Sequence, residues 1–186
     1  GRIALQPLQA ITGSIENKTF FENKEIKEVL NHVKENNSNL HIFGLLSDGG
    51  VHSHINHLLA LLEMCKINNV QNVYIDVCLD GRDTYEKSAL KYLEILENKM
   101  NELGIGSIST INGRYYAMDR DNNFDRLKLA YDAICYGKGK TYNNYKELID
   151  ENYNNGVFDE FVIPGIINNC PLNDNDGIIT FNFRKD

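Results

Sequence analysis

Three short segments of this sequence set charged and hydrogen-bonding side chains beside glycines: residues 47–54 (SDGGVHSH), 80–84 (DGRDT) and 113–121 (GRYYAMDRD). Glycine lets a backbone turn tightly and approach a ligand closely. Each of these turns carries groups that can bind an anion or move a proton. Arg82, Arg114 and Arg120 present planar guanidinium forks that match the oxygens of carboxylate and phosphate, and Arg184 stands in a fourth loop-like motif, FNFR. Asp83, between the arginines, is suited to accept a proton from a substrate hydroxyl or to orient it. Several arginines in one place imply a ligand with more than one anionic group. The plainer alternative is that each Arg–Asp pair staples its own loop. Three successive segments of the same kind favour a shared site.

The first segment also raises the question of metal. Three of the five histidines, His52, His54 and His57, fall within six positions. Residues two apart do not share a helix face, so this spacing is poorly suited to a compact zinc site. His52 is nearest the glycine turn and best placed to reach a ligand; His54 and His57 are expected to be helix-start residues with structural hydrogen bonds. Other chemistries lack their signatures. The chain has no GxGxxG, no GxxxxGK[ST] and no GxSxG. Asp119, Asp121, Asn123 and Asp125 resemble the start of a calcium loop, but Phe124 and Ala130 stand where that loop needs glycine and glutamate. They read as a solvated turn and helix start. Tyr115 and Tyr116 are expected to pack the loop.

The elements that must position these residues follow from hydrophobic periodicity. Residues 40–46 (LHIFGLL), 73–79 (VYIDVCL) and 107–111 (SISTI) read as strands, each running into one of the three segments. Helical patterns begin near residue 55 and cover 85–103 and 124–136, the last two stopped by Gly104 and Gly137. Residues 23–36 and 143–152 read as further helices, and 161–164 and 177–183 as late strands. The alternation predicts a single α/β domain over residues 1–186, three layers thick, with a mixed, mostly parallel sheet of about five strands. Ligands of such sheets bind outside the carboxyl ends of the strands, so all three segments should converge on one rim. The Asn-rich pieces (ENNSN, KINNVQN, ENYNNG, NNCPLNDNDG) read as loops without chemistry.

Composition narrows the partners. The net charge of −7 and pI near 5.2 give no basic footprint for nucleic acid. No apolar run reaches the roughly 20 residues of a membrane span, and the opening GRIALQPLQAITGS lacks the features of a secretory leader. A cytoplasmic location is expected. The four scattered cysteines, Cys65, Cys78, Cys135 and Cys170, form no CxxC pair and are expected to be reduced. The first three sit in apolar runs and should be buried and inert.

SDGGVHSH, DGRDT followed by KSAL, GRYYAMDRD and FNFR, in this order, resemble the motifs of the cofactor-independent (2,3-bisphosphoglycerate-independent) phosphoglycerate mutases. GRIALQ and FFEN are similar to the segment that follows the nucleophile region in that family, and the resemblance extends over nearly the whole chain. It implies a two-domain enzyme of the alkaline phosphatase superfamily. One domain, split in sequence, carries a nucleophilic serine and two divalent metal ions, usually manganese. The other is inserted within it and binds phosphoglycerate. This chain resembles the inserted, phosphotransferase domain alone. The resemblance thus places the metal ligands outside the chain, needs no 2,3-bisphosphoglycerate, and implies a metal-binding catalytic domain as partner within the same polypeptide. A monomer is expected.

By the same resemblance, His52 contacts the transferring phosphate and Asp83 handles the hydroxyl protons of glycerate. Arg82, Arg114, Arg120 and Arg184 hold the carboxylate and phosphate. FNFRKD departs from the family in having Lys185 where proline is common. The implied reaction interconverts 3-phosphoglycerate and 2-phosphoglycerate, in glycolysis and gluconeogenesis, through a phosphoserine formed outside this chain, which alone should be inactive. Replacing Arg114 with alanine is expected to cut turnover of the full-length enzyme while leaving folding intact. Two alternatives remain: a free-standing anion-binding module that senses a phosphorylated metabolite, and a metal-binding protein built on His52, His54 and His57.

Overall fold

The computed structural model describes residues 6–185; residues 1–5, which hold most of the GRIALQ motif, and Asp186 lie outside them. The first strand, β1 (Leu40–Leu46), pairs in parallel with β2 (Val73–Leu79), and β2 in parallel with β3 (Ser107–Gly113). The crossovers are α3 (Ile55–Ile67) and α4 (Ala89–Leu103). A further strand, β6 (Gly177–Thr180), adds in parallel to the free edge of β1. On the other side, β5 (Gly165–Ile166) is antiparallel to β3 and pairs with the two-residue β4 (Lys140–Thr141). The sheet order is β4-β5-β3-β2-β1-β6. The expected mixed, mostly parallel sheet is present, with six strands in place of about five; Lys140–Thr141 is too short and too exposed to leave a periodic signal.

The two faces of the sheet differ. Leu40, Ile42 and Leu46 of β1, Val73, Ile75, Val77 and Leu79 of β2, and Ile108 and Ile111 of β3 join one hydrophobic core. It is closed by α2 (Lys24–Glu35), α3, α4 and α7 (Tyr145–Asn154), whose Leu30, Leu62, Leu96 and Leu148 are fully buried. The alternate residues point the other way and are more polar. There His41 Nδ1 lies 2.8 Å from the Asp76 carboxylate, which also accepts from Thr110 Oγ1 at 2.8 Å. Helix α6 (Phe124–Tyr136) lies on the β3 side with Ala130 and Ala133 buried.

Several boundaries depart from the sequence reading, each for a physical reason. Helix α1 (Pro7–Glu16), which has no buried residue, was not expected, because Gly13 and the β-branched Ile11, Thr12 and Ile15 weaken its helical signal. The helix expected at 85–103 starts at Ala89; residues 85–88 form a turn, and the Ser88 amide is taken by the distant Asp159 carboxylate at 2.8 Å. Residues 161–164 are not a strand. A 3-10 turn spans Asp159–Phe161, and of FVIP the hydrophobic character serves the buried Val162, while Phe161 and Ile163 are about half exposed. β6 ends at Thr180; Phe181 to Phe183 leave the sheet and cross towards the β1 loop.

Asparagines inside and outside the Asn-rich pieces have structural uses, and residues 151–154 of ENYNNG belong to α7 and are not loop. Asn23, Asn123 and Asn144 cap α2, α6 and α7 through their side-chain oxygens. Asn37, Asn69, Asn122 and Asn175 adopt positive φ at chain reversals, which asparagine tolerates better than most residues. All four cysteines are free. Cys65 and Cys78 are buried, and burial pushes the Cys65 thiol up to about 12, so it is inert near neutrality. Cys135 and Cys170 are only half-buried, so the expectation of burial holds for Cys65 and Cys78 but not for Cys135.

The 3-10 turn is wedged against the strand ends. A Cβ on Gly113 would lie 2.3 Å from the Glu160 carbonyl oxygen, and one on Gly81 would lie 2.7 Å from the Glu160 amide nitrogen. Replacing Gly113 with alanine should therefore push this turn off the sheet and cost about 1–3 kcal/mol of stability, read as a lower urea midpoint with an unchanged slope.

Candidate anion-binding rim at the strand ends

The three segments do converge. Asp80, the first residue past β2, is 3% exposed and receives donors from all three. Ser47, the first residue past β1, donates its hydroxyl to Asp80 Oδ2 at 2.6 Å. Arg114, opening the short helix α5 (Arg114–Ala117) after β3, donates Nη1 to Asp80 Oδ1 at 2.8 Å. Within the β2 loop, the amides of Arg82 and Asp83 donate to the same oxygen at 3.2 and 2.9 Å. Burial alone would raise the Asp80 carboxyl; the Ser47 hydroxyl, the Asp83 amide, Arg114 and the Arg82 amide outweigh it and hold the group below the usual carboxylate range. Burial likewise would lower Arg114, and Asp83 and Asp80 override it.

Arg114 then spreads the network. Its Nη1 also donates to Asp83 Oδ2 at 2.7 Å, and its Nη2 lies 3.0 Å from His52 Nε2. Arginine has no acceptor, so His52 Nε2 accepts and the proton of a neutral ring sits on Nδ1. The His52 ring is 3.8 Å from Asp83 Oδ2. His52, Asp83 and Arg114 thus share one cluster, with Asp83 the most exposed of the three.

Arg82 and Arg120 stand further out. The Arg82 side chain is 59% exposed and its Nη1 lies 3.8 Å from Glu160 Oε1. Arg82, Arg114, Arg120 and Arg126 line a cleft of about 170 Å³ with Glu160 on its wall. Arg82 and Asp83 also line a second cleft of about 510 Å³, bounded by Asp48, Lys91 and Tyr92. Arg82 is therefore shared between two openings. The exposed Arg184 reaches the same edge, because the Phe183 amide donates to the His52 carbonyl at 2.8 Å and the Asn182 side chain accepts from the Leu45 amide. It lines neither cleft. A groove of about 500 Å³ elsewhere, lined by Ile11, Phe20, Leu61 and Phe181, offers no arginine or carboxylate, so size alone does not select the site.

Sequence reasoning missed the buried partners. Asp80 and Ser47 were within the quoted segments but had no assigned role, since a buried carboxylate hub is not visible in one dimension. Arg126 lies in α6; its guanidinium stacks 4.0 Å from the Tyr115 ring centre and pairs with Asp119 and, at 3.5 Å, Asp121. That pairing gives the calcium-like residues a structural function. Glu160 stands just before the segment 161–164 expected to be strand and had no assigned role.

The other two histidines are structural. His54 caps α3, its Nδ1 accepting from the Asn56 amide at 3.2 Å. His57 is buried and bonds Thr12 Oγ1 at 3.0 Å. With His52 on Arg114, the three do not face a common point. Among the described residues, no group of three or more His, Cys, Asp or Glu side chains could hold a metal ion, and no described helix is long and apolar enough to cross a membrane.

Residues 11–186 match the family model described as BPG-independent PGAM N-terminus. The chain belongs to this family. Proteins named 2,3-bisphosphoglycerate-independent phosphoglycerate mutase from Listeria welshimeri and Staphylococcus aureus are similar over the whole chain, at 51% and 52% identity. The chain spans 38% and 37% of their lengths. In a crystal structure of Leishmania mexicana phosphoglycerate mutase, described at low cobalt concentration, 36% of that chain superimposes on all of this one, with a TM-score of 0.93 and 25% identity. This BPG-independent PGAM N-terminal chain thus corresponds to a little over a third of its relatives.

Two stability tests follow from the buried groups. Asp80→Asn should destabilise the fold by about 3 kcal/mol, because it removes one side of a buried ion pair. The folded Asp80 carboxyl is held low, so its contribution is complete above the unfolded value of about 3.9 and is lost as pH falls through the folded one. The variant's stability should accordingly vary less with pH on the acid side, measured by urea titration at each pH. Burial, assisted by the charge of His54, pulls His57 down to about 4. Its neutral form favours the fold, so stability should decline as pH drops from about 6.5 towards 4, by about 3 kcal/mol in full. A His57→Gln variant should lack that decline.

Proposed function

We propose that this chain is the substrate-binding part of a 2,3-bisphosphoglycerate-independent phosphoglycerate mutase, interconverting 3-phosphoglycerate and 2-phosphoglycerate. The observation that carries this reading is the Asp80–Arg114–Asp83–His52 cluster, flanked by exposed Arg82 and Arg120 at the mouth of a small polar cleft. A phosphoglycerate brings a carboxylate, a phosphate and a hydroxyl. The outer arginines suit its anionic groups, and Arg184 stands at the same edge. Arg114 is held by two carboxylates and acts as a fixed positive wall. The relatives' shared name and greater length favour part of an enzyme over a free-standing sensor.

In this reading the phosphoryl group leaves one glycerate oxygen for a serine on the remaining polypeptide and returns to the other glycerate oxygen. Asp83 takes the proton from the hydroxyl that accepts the phosphoryl group and supplies one to the oxygen that gave it up. His52, positioned by the Arg114 guanidinium, is the residue that by the resemblance contacts the phosphate. The arginines hold glycerate between the two transfers so that it can turn without escaping. Positioning and charge complementarity dominate phosphoryl transfer, which suits a site built of paired charges. Two divalent ions, manganese by the resemblance, would activate the serine; the described residues do not fit as their ligands.

The test is steady-state kinetics of the full-length protein. Asp83→Asn should lower kcat by about 100-fold or more, the usual scale for losing a proton-transfer group, with little change in melting temperature. Arg82→Ala should mainly raise KM. Near-normal turnover in Asp83→Asn would reject its role. Arg114→Ala is a poor probe, contrary to the sequence-based expectation of intact folding, because it would leave the buried Asp80 without its cation.

A further inference from the structure

We propose that Glu160 is a positioning residue of the rim, an internal competitor that occupies Arg82 until an anionic ligand displaces it. This rests on the proposed function of the rim as an anion clamp. The carboxylates around the clefts are not equivalent. Asp80 and Asp83 hold Arg114 at 2.7–2.8 Å, and Asp119 and Asp121 face Arg126. Glu160 instead meets the exposed Arg82 at 3.8 Å, beyond hydrogen-bond length, across the wall of the small cleft. That pair is longer than those made by Arg114 and Arg126, and its arginine is far more exposed than either, so it is open to exchange.

The backbone beneath Glu160 gives the arrangement permanence. Its amide nitrogen and carbonyl oxygen pack where Cβ atoms would stand on Gly81 and Gly113. On one side the Asp159 amide donates to the Glu86 carbonyl at 3.0 Å, and the Asp159 carboxylate takes the Ser88 amide and the Tyr153 hydroxyl. On the other, the Gly113 amide donates to the Val162 carbonyl at 2.8 Å. The carboxylate is thereby carried on a turn fastened to both strand-end loops, while the guanidinium opposite it is on an exposed side chain. An anion entering the cleft must replace a like charge to gain Arg82. Binding is weakened and release is eased, which a clamp with so many arginines needs in order to turn over.

The probe is inorganic phosphate, then 3-phosphoglycerate, titrated into the full-length protein while the amide resonances of Arg82 and Arg114 are followed by NMR. Glu160→Gln keeps the side chain's shape and removes its charge. It should tighten both ligands about three- to tenfold, the effect of one unscreened charge at this range in a wet site, and the gain should shrink with added salt. Glu160→Asp should return affinity towards that of the parent. Unchanged or weaker binding in Glu160→Gln would overturn the inference, since damage to the fold loosens binding and does not tighten it. Parent affinity in Arg82→Ala would overturn it too, while leaving the clamp of Asp83 and Arg114 standing. No saturable shift at the rim of the parent protein would overturn both this inference and the proposed function.

Discussion

The rim depends on one buried ion pair. Asp80 and Arg114 sit at the ends of adjacent parallel strands, 3% and 5% exposed, and each would be costly to bury alone. Together, with the Ser47 hydroxyl and two loop amides completing the carboxylate's hydrogen bonds, they fix three loops at once. Arg114 then has donors left for Asp83 and His52. The polar groups that face the clefts are thus oriented by polar groups that do not, which holds the rim in one arrangement.

The second constraint is steric. Strand ends finished by glycine leave space, and here the space beside Gly81 and Gly113 is filled by the backbone of a segment far along the chain. The turn from Asp159 to Phe161 brings no strand pairing of its own, yet it carries Glu160 to the cleft and lets Phe161 pack 5.0 Å from Tyr115. Buried Asp159 shows how such a turn is held. Burial raises its carboxyl above the usual range even though Tyr153 and Ser88 donate to it, so the contacts serve mainly to satisfy a group the fold has enclosed.

Much of the architecture was legible in the chain. The apolar runs LHIFGLL and VYIDVCL are buried on both faces and could hardly be other than central parallel strands. GRYY and DGRDT stood out as charged residues beside glycine at strand ends, and the structure brings Asp80, Asp83 and Arg114 from them into one cluster. The failures share a cause. Lys140–Thr141 and Gly165–Ile166 are too short to show a period, α1 is a helix by context more than by propensity, and FVIP reads as a strand because hydrophobic character does not reveal whether a segment pairs or wedges.

By itself, the sequence determined which residue types stand at each strand end, and parallel topology then required those ends to share an edge. It also determined that His52, His54 and His57 would not make one compact cluster, since helical spacing separates them. Only the tertiary structure decided the partners. Asp80 became the buried hub, Arg114 the fixed wall and Arg82 the exposed arm facing Glu160, 78 positions away in the chain. Local spacing governs what lies on one element, but burial and pairing of charge are settled between elements, where each group's environment is made by residues distant in sequence.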